Sequence, residues 1–353
     1  MSRVSNSHTV SIAVTGTKLS DAARDMLSGD WLQMTGANLP SGLDLFTGQG
    51  GSGGFITGYA SKMARDSGNK KMYFLGCDHG IETIFMVYNE QANSWTEAAS
   101  SVPWGVEAYG STNTAHGYEH IAFDTVNSKL YHRARTNRSL MRWDGGTTWT
   151  EFSYGSELFY SSGANANCYF PETGRILTYQ VENGTNGALI AFNPSTGTFS
   201  TLVAQATGTL AGTGDPHNFA QYNPNSQVVW FGSGNGSAKT WKINASNVVT
   251  AMTDIPVALG TVGPSQVSSL AVYNPANGKF LVLRTASVWY DFDPAGSGAW
   301  TARGGTATML SADVADTSSA YAIVACPLPE YGVIAFVKAY SRTSNAQMWL
   351  FKG

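Results

Sequence analysis

A repeat constrains this chain more than any other feature. One unit recurs along most of its length: a strand, a turn rich in Asn, Pro and Gly, and a second strand. A loop, a third strand ending in an aromatic, a short turn and a bulky residue complete it. The first hairpin is plainest at 268–284, SSLAVYNPANGKFLVLR. It returns at 118–133, 166–180 and 217–232, more divergently at 320–338, and with a longer turn at 54–76. In the second half of the unit Tyr88 precedes Trp95 by seven residues. The pairs Phe192 and Phe199, and Trp241 and Val248, keep that spacing, whereas Trp143 and Trp149 are one closer and Phe292 and Trp300 one further apart.

The outer-strand positions read this way are Trp31, Trp95, Trp149, Phe199, Val248 and Trp300, separated by 64, 54, 50, 49 and 52 residues. Four short strands at a period near 50 residues are the pattern of a β-propeller. A lone four-stranded sheet cannot bury both of its faces. Sheets arranged around a ring bury them against one another, with large aromatics filling the gaps between twisted surfaces. Trp31 has no strands before it, and the last unit ends without a fourth strand. Pairing 29–36 with the C-terminal strands repairs both and hides an open edge. The sequence therefore predicts an all-β, six-bladed propeller of four-stranded antiparallel blades over 29–353, preceded by an arm at 1–28. Within the arm, LSDAARDML (19–27) reads as a short helix with Ser20 as its cap.

Composition agrees with short strands and tight turns. The 353 residues include 39 Gly, and only 13% are charged, too few to clothe amphipathic helices. A net charge of −3 without a basic stripe argues against nucleic-acid binding. No stretch approaches the length of an apolar membrane span, and the N-terminus lacks the apolar core of a secretory signal. A virion or extracellular setting is the expectation for location. Cys77, Cys168 and Cys326 have neither disulfide nor zinc spacing and read as buried thiols in strands.

The Tyr-x6-Trp spacing and the aromatic-ended third strand resemble those of kelch and galactose-oxidase-type propellers, over about 29–353. The paired glycines usual after the second strand are missing; Leu75-Gly76-Cys77 and Gly232-Ser233-Gly234 come nearest. Asp144, Gly146, Thr148 and Trp149 resemble the Asp-box turn of sialidases, with Arg142 in place of its Ser. Neither resemblance brings a cofactor. Galactose oxidase needs a cross-linked Cys–Tyr pair and two histidines for copper, and a sialidase needs three converging arginines with a Tyr–Glu pair. Neither set can be assigned. GGSGG (50–54) matches glycine-rich catalytic patterns only outside their strand–helix context and reads as a linker.

Ligands of propellers meet the mouth where loops enter the innermost strands. The insertions 101–117, 203–216 and 254–266 each join an outer strand to the next inner strand, so they belong to one face. His79, His116, His120, His132 and His217 fall at or beside such junctions. His116 and His120 are four apart, as in a helical zinc motif, but Gly117 intervenes and no helix pattern surrounds them, so no metal site is expected. The bland reading of these histidines is backbone hydrogen bonding in loops. The sharper one places His120, His217 and Tyr118 at the mouth, as base and acid at a sugar ring. His132, Arg133 and Arg135 could hold a carboxylate there, with a solvated strand end as the plainer alternative.

Two functions compete. One is a recognition module without catalysis, binding a glycan or a partner through Trp104, Tyr109, His116 and His79. A surface rich in Asn, Ser, Thr, Tyr and Trp suits stacking on sugar rings, and 1–28 would dock it on a phage virion, a tail surface or a similar assembly. The other is a polysaccharide lyase acting on a uronate polymer with His120, His217, Tyr118 and Arg135. An intracellular kelch-like partner-binding domain is a third, weaker reading, because no second domain accompanies the repeat.

Overall fold

A computed structural model describes residues 18–35, 56–57, 59–76, 83–98, 102–103, 117–134, 139–154, 165–182, 186–214, 217–257, 270–311, 323–339 and 346–353. A seven-residue helix α1 (Leu19–Asp25) leads into strand β1 (Asp30–Met34). Blade 1 holds β2 (Ala64–Asp66), β3 (Lys71–Gly76), β4 (Ile84–Asn89) and β5 (Ser94–Glu97). Blade 2 holds β6 (Ile121–Asp124), β7 (Lys129–Ala134), β8 (Ser139–Gly145) and β9 (Thr148–Ser153). Blade 3 follows as β10 (Asn165–Phe170), β11 (Arg175–Glu182), β12 (Asn186–Asn193) and β13 (Thr198–Val203). Blade 4 is β14 (Phe219–Asn223), β15 (Val228–Gly232), β16 (Thr240–Asn244) and β17 (Val249–Ala251). Blade 5 is β18 (Leu270–Asn274), β19 (Lys279–Leu283), β20 (Trp289–Asp293) and β21 (Ala299–Ala302). Blade 6 is β22 (Ile323–Leu328), β23 (Val333–Lys338) and β24 (Gln347–Lys352), completed by β1. The protein is thus an all-β ring of six four-stranded antiparallel blades.

The first hairpin of every blade turns the same way. Four residues link β2 to β3, and the last of them has a left-handed backbone. The same holds in the other blades, at Lys70, Ser128, Gly174, Gln227, Gly278 and Gly332, with φ between 53° and 73°. The residue closing the inner strand often anchors the turn. Asp66 accepts from the Asn69 amide at 2.9 Å, Asp124 from Val126 and Asn127, and Asn223 from Asn225 and Ser226. This is the physical content of the turns rich in Asn, Pro and Gly that mark the repeat. Glycine fills only three of the six left-handed positions, which is why the repeat looks ragged in sequence.

Closure follows the predicted route. β1 pairs antiparallel with β24, Asp30 opposite Lys352 and Met34 opposite Met348. Trp31 stacks on Phe351 at 4.4 Å and leans on Phe336 and Trp289. α1 buries Leu19, Ala22 and Ala23, and its Ala23 carbonyl accepts from Lys352 Nζ. Its cap is Lys18 rather than Ser20, and no side chain caps it.

One expectation about the outer strands is corrected. Trp241 does not pair with Val248: in blade 4 Ile243 faces Val249 and Trp241 faces Ala251, leaving Val248 in the turn, 54% exposed. Trp149 and Trp300 are only partly buried, whereas Trp95, also on an outermost strand, is buried against Tyr88 at 5.1 Å. Among the described residues the most enclosed tryptophan lies on a second strand instead. Trp230 on β15 is fully buried, with Phe219, Phe280 and Phe292 at 4.3, 4.9 and 4.5 Å. Cys168 and Cys326 are buried thiols in inner strands, as expected, and Cys77 lies outside the described residues.

Candidate functional site

The inner strands all run the same way, so their starts ring one end of the channel, here called the upper end, and their first turns ring the lower. An inner strand presents an unpaired edge of amides and carbonyls to the channel, and those groups need partners. Around part of this ring they find one another. Tyr118 N–H donates to Tyr59 O at 3.0 Å, Ser61 N–H to Tyr118 O at 3.2 Å, and Ala325 N–H to Ser61 O at 3.0 Å. Met63 N–H donates to Ala325 O and Asn167 N–H to Glu119 O, both at 2.8 Å. Short parallel bridges thereby stitch blades 6, 1, 2 and 3 together.

Where the strands stand too far apart to pair, two charged side chains span the gap. Lys62 Nζ donates to Asn167 O at 2.6 Å and to Ala220 O at 2.7 Å, and lies 3.7 Å from Glu119 Oε2. Glu119 is fully buried. Its carboxylate accepts from the Ala220 amide at 2.9 Å, from Gln221 Nε2 at 3.1 Å and from Ser61 Oγ at 3.2 Å. Burial pushes this carboxyl up to about 7, against the pull of the Lys62 ammonium and of these donors. The Lys62–Glu119 pair thus joins the inner strands of four blades across the middle of the channel.

Above it sit three of the sequence-predicted site residues. The rings of Tyr118 and His120 lie 5.3 Å apart, those of Tyr118 and His217 5.5 Å, and Tyr59 stacks parallel to His217 at 5.9 Å. Tyr59, Tyr118 and His217 all have left-handed backbones, with φ of 56°, 35° and 69°. Such conformations cost bulky residues of order 1–3 kcal/mol each and persist only where surrounding contacts hold them. Gly117 is one reason they persist: a Cβ there would come within 2.8 Å of Ala60 Cβ and 2.9 Å of Leu75 O. His217 is steadied by Asn235 Oδ1, 2.9 Å from its Nδ1.

His120 is fully buried, and its Nε2 accepts from the Asn165 amide at 3.3 Å. His132 meets it edge-on at 5.7 Å. Burial, reinforced by Arg133, drives the His132 pKa down to about 3. The remaining candidates, His79, Trp104, Tyr109, His116 and Arg135, lie outside the described residues. No group of His, Cys, Asp and Glu suited to a metal ion occurs among the described residues.

Sequence reasoning overlooked Tyr59, Lys62 and Glu119. The available signal was charge in an uncharged setting. Glu119 sits between Tyr118 and His120 at the start of an apolar strand, and Lys62 precedes Met63-Ala64 one blade earlier, at the position that His120 holds in blade 2.

These features define a class: a six-bladed β-propeller whose ring is closed by an N-terminal strand and whose channel is bridged by an ion pair. No protein-family model matches the chain, nor does any curated protein. Among solved structures it is similar to a catalytically inactive virginiamycin B lyase from Staphylococcus aureus in complex with quinupristin. That match has a TM-score of 0.53 at 12% identity, over 91% of this chain and 98% of that one. A gluconolactonase from Xanthomonas campestris gives 0.51 at 12% identity, over 95% and 92%. An auxiliary nutrient binding protein from Bacteroides ovatus gives 0.51 at 10% identity, over 91% and 77%. At these identities the similarity is one of fold, shared by propeller enzymes and binding proteins. None of the three is a kelch or galactose-oxidase protein or a phage component.

Proposed function

We propose that this propeller is a recognition module that binds a polyhydroxylated ligand, a glycan, at the upper mouth without transforming it. The observation that carries the reading is the convergence of Tyr59, Tyr118 and His217 at one end of the channel, each held in a costly left-handed backbone. Aromatic faces stack on the C–H faces of sugars, and ring nitrogens and phenol hydroxyls hydrogen-bond their hydroxyls. Trp104, Tyr109, His116 and His79 would extend the platform.

A binding role fits the histidines better than proton transfer does. An imidazole nitrogen that accepts a backbone amide, as His120 Nε2 does, is occupied by structure. A histidine held neutral down to about pH 3, as His132 is, cannot serve as an acid near neutrality. One observation favours the lyase reading: Tyr118 lies between His120 and His217, the acid–base geometry that a uronate lyase would need.

Titration with a panel of neutral and uronate polysaccharides, followed by calorimetry and by absorbance of an unsaturated product, tests both readings. Binding without absorbance, weakened about tenfold by Tyr59→Ala or Trp104→Ala and little by His120→Ala, is the expected result. Turnover abolished by His120→Ala with binding retained would establish the lyase instead.

A further inference from the structure

The lower end of the channel carries a second cavity, separate from the mouth described above. It has a volume of about 370 Å³ and lies below the Lys62–Glu119 pair. Its wall is built by repetition. The position one residue before the end of each inner strand is Arg65 in blade 1, Phe123 in blade 2, Tyr169 in blade 3, Tyr222 in blade 4, Tyr273 in blade 5 and Pro327 in blade 6. All six residues line the cavity. Four aromatic rings on successive blades therefore surround one space.

The charged groups of this wall, and the hydroxyls of Tyr222 and Tyr273, are already partnered. Lys62 is held by two carbonyls and Glu119. Arg65 makes a two-pronged pair with Glu90, at 2.7 and 3.0 Å, and a further pair with Glu330, which also accepts from Lys70. The Tyr222 hydroxyl donates to Glu172 at 2.6 Å and that of Tyr273 to Asn225 at 3.3 Å. Cys168 and Cys326 line the cavity with thiols that donate to neighbouring carbonyls. An ionic ligand would find its counter-charges engaged and would give up its hydration for little. The wall leaves its ring faces for contact, and the volume falls in the range of small-molecule sites.

We infer that this lower cavity is a second binding site, taking an uncharged aromatic or similarly flat apolar molecule among Phe123, Tyr169, Tyr222 and Tyr273. It is independent of whatever occupies the upper mouth.

Benzophenone is a suitable probe, being neutral, aromatic and photoreactive toward nearby C–H bonds. The intact protein is irradiated with it and the adducts are mapped by peptide mass spectrometry. Saturable labelling on the peptides carrying Met63, Tyr169 or Tyr222 is expected, and 4-benzoylbenzoate at the same concentration should label them about tenfold less. Tyr222→Ala should lower benzophenone labelling of the Met63 peptide by about the same factor. Labelling that is absent, unsaturable or confined to other peptides overturns the site. Equal labelling by the carboxylate overturns the ligand class. The mapping uses the unaltered protein, so it decides between these outcomes even if the variant folds poorly.

Discussion

Glu119 concentrates the electrostatics of the ring in one side chain. Its folded pKa of about 7 lies above the ordinary carboxylate value of 4.5. Between those values the folded protein keeps a proton that the unfolded chain has released, so this group's contribution to stability falls as pH rises from 4.5 to 7 and levels off above. The size of the change is about 3 kcal/mol. Glu119→Gln should flatten that part of the curve, which denaturant unfolding at pH 5 and pH 8 would show. A variant as pH-dependent as the original would refute the assignment. Lys62→Met should be worse than neutral, costing roughly 3–5 kcal/mol, because it strands a buried carboxylate and two carbonyls. Little of this was legible in sequence. A solvated face is the ordinary fate of Lys or Glu, and only the ring's curvature brings positions 62 and 119 together. Tyr118, His120 and His217 were legible because a topological rule, not a side-chain rule, places the starts of inner strands at one end.

Blades show where pattern reading succeeds and where it slips. All six first hairpins were visible, since an apolar strand, an Asn-rich turn and a second apolar strand leave few alternatives. The outer strands were misjudged where the aromatic spacing was taken as fixed. In blade 4 the turn Asn244–Asn247, with Asn244 accepting from Ser246 and Val248, moves the partner of Trp241 from Val248 to Ala251, three residues on, and leaves Val248 facing outward. Burial varies among the outer-strand tryptophans, Trp95 being enclosed and Trp149 and Trp300 only partly so, while Trp230 on a second strand is fully enclosed. The consequence is measurable. Trp230→Ala should cost roughly 3–5 kcal/mol by emptying a site surrounded by four aromatic rings. Trp149→Ala should cost distinctly less, since that ring is already partly in solvent. Equal losses in urea titrations of the two variants would contradict the burial pattern.

At the scale of the whole molecule, the ring has a seam, and the seam was the most readable long-range feature of all. An orphan tryptophan segment before the first blade and a missing strand after the last left one pairing that satisfied both. Removing residues 1–35 should bare the edge of β24 together with Trp349 and Phe351, giving aggregation or a broad, non-cooperative melt. Removing 1–17 keeps α1, β1 and every contact described for them, so that form should melt like the full chain. If the longer deletion melts sharply at the original temperature, the closure has no energetic weight. The seam also sets how the protein answers to force. β1 begins, and β24 ends, at the same lower end of blade 6, Asp30 beside Lys352 and Gly29 N–H on Lys352 O at 2.5 Å. Tension applied through the two ends of the chain, once α1 has detached, would reach this pair from one side and part its hydrogen bonds one after another, as a zipper opens. A strand pair loaded along its length must break its bonds together. This ring, although held by its closure, should therefore yield to pulling at low force, first at blade 6.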